Sequence, residues 1–238
     1  MSRSQVNDRH TFDTQRPEPL NLRVGACRGE IGRSRHNDSL LKRGTMDPKE
    51  LFREVSDLLT PLVEGTESAQ LADATPCDGF TVRDLIGHFT LGRFIFGAGM
   101  AGDNARQQEL VATMPAQLGD VLGDDHHETY RQATEAIDQA VAGVADVNET
   151  VSLVFGEMPA SYALQLLSAD NYVHCWDLAS ATGQAFDPPE HLTEAAATFF
   201  SSFITEDARA GGSFGPEVDV PADATSFDRM LAFCGRKP

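Results

Sequence analysis

Three residues in this chain carry the right side chains at the right spacing for metal chemistry: His88, Asp170 and His174. Asp170 and His174 are four apart in a stretch with helical patterning, so they share a face, with Cβ atoms about 5–6 Å apart. His88 borders an apolar stripe on an earlier helix, between Leu85 and Leu91. Two imidazoles and a carboxylate form a three-ligand set that leaves one position open on a tetrahedral ion such as zinc. Facing helices of a bundle are a natural place to assemble such a set. Spacing alone does not settle the matter. The chain has 36 acids and seven histidines, and chance alone places about one acid four residues before a histidine. Three such pairs occur: Asp84–His88, Asp170–His174 and Asp187–His191. Taken only as a pattern, Asp170–His174 reads more readily as a partly exposed intrahelical ion pair than as a metal pair.

The elements that must position these residues are helical. Leu51, Val55, Leu58 and Leu62 mark one face of a first helix opening at Met46. Thr81 and Asp84 form a capping box at the start of a second, with Val82, Leu85, Ile86 and Phe89 as its buried stripe and an end near Gly99. Tyr130, Ala133, Ile137 and Val141 mark a third. Pro159 suits the first turn of a fourth, which carries Tyr162, Leu166, Leu167, Val173 and Leu178 and stops near Gly183. A fifth runs from Pro189 through Phe203, and a short one covers Ser226 to Cys234. Strand signal is confined to Thr150–Phe155. The fold class is therefore all-α, a four-helix bundle with a short extra C-terminal helix.

Composition narrows the function. The 238-residue chain has a formal net charge of −17, so phosphate backbones repel it and nucleic acid is excluded as a partner. No window approaches 18 consecutive apolar residues, so no membrane-spanning helix is expected. Residues 1–45 hold nine basic residues against five acids and lack periodicity. They read as a disordered basic leader, an upstream extension of a protein whose functional start is Met46, followed by a metal-binding helical bundle over 46–238. Cys27, Cys77, Cys175 and Cys234 are scattered without CxxC spacing, which fits a reducing, cytoplasmic setting and no cysteine-based zinc site.

Two segments, TPCDGFTVRDLIGHF (75–89) and HCWDLASATG (174–183), resemble the signatures of the mycothiol-dependent maleylpyruvate isomerase family. That family belongs to the DinB-like superfamily of metal-binding four-helix bundles. The closing FGPEVDVPADATSFDRMLAFCGRKP resembles the tail of a branch described only as metal-binding. The resemblance covers roughly residues 47–238. It implies that His88 and His174 are metal ligands with Asp170 as the third, where the isomerase usually has a glutamate. The shorter arm of Asp170 would require a closer approach of its helix. Phe80 stands where the motif usually has tryptophan. The isomerase also carries a sterol-carrier-like second domain, and here only about thirty-five residues follow the fifth helix. That places the chain in a branch lacking the domain and weakens maleylpyruvate as the substrate.

The resemblance implies a divalent metal, zinc first and nickel second, with mycothiol or a similar thiol as cosubstrate. The reaction it implies is thiol-dependent transfer or cis–trans isomerisation. The partners are a small-molecule thiol and an electrophilic substrate, with a homodimer left open. Catalytic residues beyond the metal set are not assigned. The competing class is a non-catalytic metal-binding bundle whose fourth ligand closes the site; a third is a bundle without metal. Asp177, one turn beyond His174, is either the group that fixes a ligand imidazole's tautomer or a solvated surface acid. Cys175 reads as a buried structural thiol, Trp176 as a packing residue, and His126–His127 as part of a solvated loop.

Overall fold

The computed structural model describes residues 46–210 and 214–238. Residues 1–45, expected as a disordered basic leader, and residues 211–213 lie outside the described residues.

Helix α1 (Pro48–Glu64) starts where Asp47 accepts the backbone N–H groups of Lys49 and Glu50, with proline in its first position. Its fully buried stripe is Phe52, Val55, Leu59, Leu62 and Val63. Leu51 and Leu58, expected on that stripe, are half-buried at its edge, turned toward a neighbouring apolar cluster. The capping box expected at Thr81 opens α2 (Val82–Met100): Thr81 Oγ1 accepts from Asp84 N at 3.2 Å, and Asp84 Oδ2 accepts from Thr81 N at 3.2 Å. The second Asp84 oxygen accepts from Gly119 N at 3.1 Å, so the same carboxylate fixes the 3-10 turn Leu118–Leu122 against α2. Gly87 makes that crossing close. A Cβ there would lie 2.2 Å from the Leu118 carbonyl oxygen, so only glycine fits.

A short helix, α3 (Asn104–Ala112), was not evident in the sequence; it buries only Gln107 and Leu110. Helix α4 (His126–Gly143) buries the expected Tyr130, Ala133, Ile137 and Val141. Strands β1 (Thr150–Leu153) and β2 (Gly156–Pro159) form an antiparallel hairpin with Leu153 opposite Gly156. The expected strand ended at Phe155, but Val154 and Phe155 make the turn, and Phe155 packs on Phe96 instead.

Helix α5 (Ala160–Thr182) is the axis of the fold, about 35 Å long at 1.5 Å per residue. Pro159, expected in its first turn, is the cap residue just before it, and Tyr162, expected on its apolar face, is exposed at the surface. Gly183, at φ +68°, ends it in the left-handed region. It is buried on several sides, with α1 and α6 (Glu190–Phe203) on one flank and α2 on another. Helices α7 (Glu206–Ala210) and α8 (Ser226–Phe233) complete the C-terminal end. Met230 and Leu231 of α8 join Tyr172, Phe199 and Phe200 in an apolar cluster, and Tyr172 is hydrogen-bonded to Thr193 at 2.6 Å. The bundle of α1, α2, α4 and α5 is the expected all-α architecture.

The core also holds a cation. Arg93 of α2 is fully buried, donates to Ser56 Oγ and Thr134 Oγ1 at 3.2 Å each, and lies 5.0 Å from the centre of the Tyr130 ring.

Candidate metal centre

Packing of α2 on α5 brings together the three residues singled out by type. His88 Nε2 lies 3.2 Å from Asp170 Oδ2, and His174 Nε2 lies 3.6 Å from Asp170 Oδ1. The rings meet edge to face with centroids 4.9 Å apart. One donor atom from each of the three lies within 4.8 Å of the others. The carboxylate thus bridges two imidazoles, one oxygen to each, and the shorter aspartate arm reaches both. The cluster is open on one side: the His88 and Asp170 side chains are 34% and 40% exposed, that of His174 only 8%.

Behind His174 the arrangement is closed. Its Nδ1 lies 2.8 Å from Asp177 Oδ2, and Asp177 is fully buried. That excludes the reading of Asp177 as a solvated surface acid. Arg236, from the segment after α8, completes the chain by donating to Asp177 Oδ2 at 2.8 Å and Oδ1 at 3.3 Å. A buried carboxylate paired with a guanidinium accepts a hydrogen bond from Nδ1–H and fixes the ring's orientation, which turns Nε2 toward Asp170.

The electrostatics follow from this geometry. Burial works to raise the Asp170 pKa, but His174 and His88 overcome it and hold the carboxyl well below the usual carboxylate range. Water screens part of that effect on so exposed a side chain. Burial opposes the protonated form of His174, yet Asp170 and Asp177 push it up to about 9. Burial likewise disfavours the Asp177 carboxylate, and hydrogen bonds from His174 and Arg236 lower its pKa nonetheless. Without a cation, the His174 proton is what holds Asp170 and His174 together. A divalent ion offers the same cluster a single positive centre for all three donors, so the donor set fits a metal of the zinc or nickel type.

Other candidates sort themselves. Asp84 of the Asp84–His88 pair is the helix cap. His191 of the Asp187–His191 pair bonds instead to Glu54 of α1, at 2.7 Å. His126 and His127 are not in a solvated loop. They open α4, where Asp125 caps the first turn; His126 is buried and His127 exposed. His126 Nε2 lies 3.2 Å from Thr66 O, and His127 Nε2 lies 3.1 Å from Val63 O and 3.2 Å from Thr66 O. They bond to carbonyls at the end of α1 and just beyond it. Cys175 is fully buried, and burial pushes its thiol above the ordinary range. Trp176 packs half-buried against the α6–α8 cluster. Phe80 stacks obliquely on His88, with centroids 5.7 Å apart, a packing contact. Arg209 donates to the carbonyls of Gly215 and Phe233 and so ties down its own chain.

Two participants escaped the sequence. Arg236 lies 59 residues from Asp177, and no spacing connects them. Cys77, half-buried in the turn before α2, offers a sulfur that forms a second group within 4.8 Å with His174 and Asp177. Burial pushes its thiol up to about 11. Its position in ATPCDGF, next to the signature that ends at His88, was the available signal. A separate cavity of about 490 Å³ opens between α1, α5 and α6 and is lined by Val55, Tyr162, Tyr172 and Phe199; it includes none of the three donors.

Over 195 residues the chain is 28% identical to uncharacterized proteins of Mycobacterium tuberculosis strains CDC 1551 / Oshkosh and ATCC 25618 / H37Rv, covering 80% of this chain and 98% of theirs. Crystal structures of the mycothiol-dependent maleylpyruvate isomerase and of a mutant of it align with TM-scores of 0.49 and 0.48, at 18% and 17% identity. Each alignment covers 63% of this chain, which spans 66% of those solved chains, slightly under two thirds of their length. The family model described as the mycothiol maleylpyruvate isomerase N-terminal domain matches residues 52–179. That match takes in more than half of the chain, from α1 into the last turns of α5 and through His88, Asp170 and His174, and the chain belongs to this family.

Proposed function

We propose that the chain is a divalent-metal-binding enzyme that uses a low-molecular-weight thiol, mycothiol or one like it, for transfer to or isomerisation of an electrophilic substrate. His88, Asp170 and His174 are the ligands. The observation that carries the reading is the meeting of their three donor atoms within 4.8 Å on the solvent-open side of α5. Family membership supports a thiol-dependent reaction, and the metal set supports the means.

A free thiol has a pKa of about 8.5, so only a few per cent is thiolate at pH 7. A divalent cation, zinc or nickel, supplies the charge that holds such a thiol deprotonated, a gain of roughly 2 kcal/mol in this range. The chain's own residues do the rest. Asp177 and Arg236 hold the His174 ring so that Nε2 faces the cluster. Asp170 supplies the compensating negative charge between the two rings. The exposed edge formed by His88 and Asp170 admits both the thiol and its substrate. In this reading the partners are small molecules and the setting is cytoplasmic. No described helix is long and apolar enough to cross a membrane.

The experiment is elemental analysis of protein purified without an affinity tag, followed by cobalt(II) substitution and titration with a small thiol. One equivalent of metal and a thiol-dependent change in the cobalt spectrum are expected. A protein without metal, or one whose cobalt spectrum ignores added thiol, contradicts the reading.

A further inference from the structure

The C-terminal segment reaches the proposed metal centre through one side chain. Residues 214–238 carry α8, whose Met230 and Leu231 are buried in the cluster with Val55, Tyr172 and Phe199. Phe214 packs edge to face on Phe200 and Phe203, with ring centroids 5.9 and 6.1 Å apart, and Phe227 packs on Tyr172 at 5.8 Å. The segment is also tied to itself: Val218 N donates to Ala232 O at 3.0 Å and Arg236 N to Leu231 O at 2.9 Å. Arg236 leaves this apolar seat for the centre. Its Nη2 donates to Asp177 Oδ2 at 2.8 Å, its Nε to Asp177 Oδ1 at 3.3 Å, and its Nη1 to Cys234 O at 3.1 Å.

Asp177 Oδ2 is shared, accepting from Arg236 Nη2 and from His174 Nδ1 at 2.8 Å each. Asp177 is fully buried, and among the described residues its hydrogen bonds come from these two alone. The carboxylate is thus held from one side by the C-terminal segment while it holds the ring of a proposed ligand on the other. If the segment lifts, both oxygens lose the guanidinium. The carboxylate is then free to turn from Nδ1, and the ring loses what aims Nε2 at Asp170. Such outer partners of a ligating imidazole contribute about 10–100-fold to metal affinity. Linkage runs in both directions: whatever factor the seated segment adds to metal affinity, bound metal adds to the seating. Helix α3, which packs on α2 and β1, shares no bond with this relay.

We infer that seating of residues 214–238 and metal binding at His88, Asp170 and His174 are coupled through Arg236 and Asp177, so that the C-terminal segment is a latch on the metal. Seated, it retains the ion; lifted, it lets the ion go. The inference rests on the metal site proposed above and adds what controls retention there. Arg236 is a positioning residue in this scheme, since it acts on the ion only through Asp177 and the His174 ring. The latch closes the buried side of His174 and leaves the edge formed by His88 and Asp170 free for thiol and substrate.

The test is hydrogen exchange on the full-length protein, zinc-loaded and chelator-treated, with metal content assayed in each sample. Zinc is expected to slow exchange of the α8 amides about 10–100-fold and to leave those of α3 unchanged. Arg236→Gln should weaken zinc about 10–100-fold in competition with a chromogenic chelator and abolish the effect of zinc on α8. Arg236→Lys should restore part of both. Equal slowing of α8 and α3 is the general stabilisation any ligand gives. That result, α8 exchange indifferent to zinc, or an Arg236→Gln protein that behaves as the parent overturns the latch and leaves the three-ligand site standing. The comparison of α8 with α3 needs no variant, so it decides even where Arg236→Gln does not fold. A protein that binds no zinc overturns both proposals, and the metal assay tells the two failures apart.

Discussion

Among the described residues two pairs of histidines lie close together, and they do opposite things. His126 and His127 stack with ring centroids 3.9 Å apart; His88 and His174 lie 4.9 Å apart. The tighter pair faces backbone carbonyls, and burial lowers the pKa of His126, which keeps it neutral. It closes the end of one helix against the start of another. The looser pair faces a carboxylate from a third position, is backed by a second carboxylate, and opens to water. Nearness of imidazoles therefore does not make a metal site. The proposed centre rests instead on acceptors that are themselves anionic and on an unblocked edge.

Substitutions can break this contrast. His174→Ala and His88→Ala should each reduce bound metal to background, whereas His126→Ala should retain one equivalent by elemental analysis. Metal retained in the first two would erase the distinction. Asp177→Asn should come next. It leaves Arg236 buried without its anion, which costs about 3–5 kcal/mol in urea unfolding, and it should weaken metal affinity roughly 10–100-fold through the freed His174 ring. His126→Ala should lower stability by about 1–3 kcal/mol, because it removes a buried ring and its bond to Thr66 O.

The effect of pH sharpens the contrast further. In chelator-treated protein, the His174 pKa is raised from 6.5 to about 9 on folding. Its contribution to stability is therefore fully present below pH 6.5 and fades as pH rises through 9. Metal-loaded protein should lack that decline, since its imidazole has already given up the proton. Thermal midpoints across this range, with and without chelator, would show it. Thr81→Ala should have the smallest effect, about 1 kcal/mol, from loss of the α2 cap.

Local signals were readable in the sequence because their causes are local. The Thr81–Asp84 box, Pro189 before α6 and Gly183 after α5 all stand where expected. The Asp170–His174 spacing was readable, as was the likeness of two signature segments to the family. What could not be read depends on tertiary approach. Arg236 reaches Asp177 only because α8 folds back on α5, and Cys77 reaches His174 only because its turn is pinned against the bundle. The His126–His127 pair was misjudged because its partners are carbonyls of α1, and a carbonyl leaves no trace in a sequence. Helix α3 shows too few apolar residues to announce itself.

Gly87 has a bearing on how this protein can vary. The ring of His88 is placed by a neighbour that contributes no side chain, and the fit against Leu118 leaves no room for even a methyl group. Alanine there would have to push the 3-10 turn off α2 or slide the helix along the bundle, and either shift moves the ligand next to it. An ordinary drift in size at a position outside the cluster would then disturb the proposed centre as directly as a change of His88 itself.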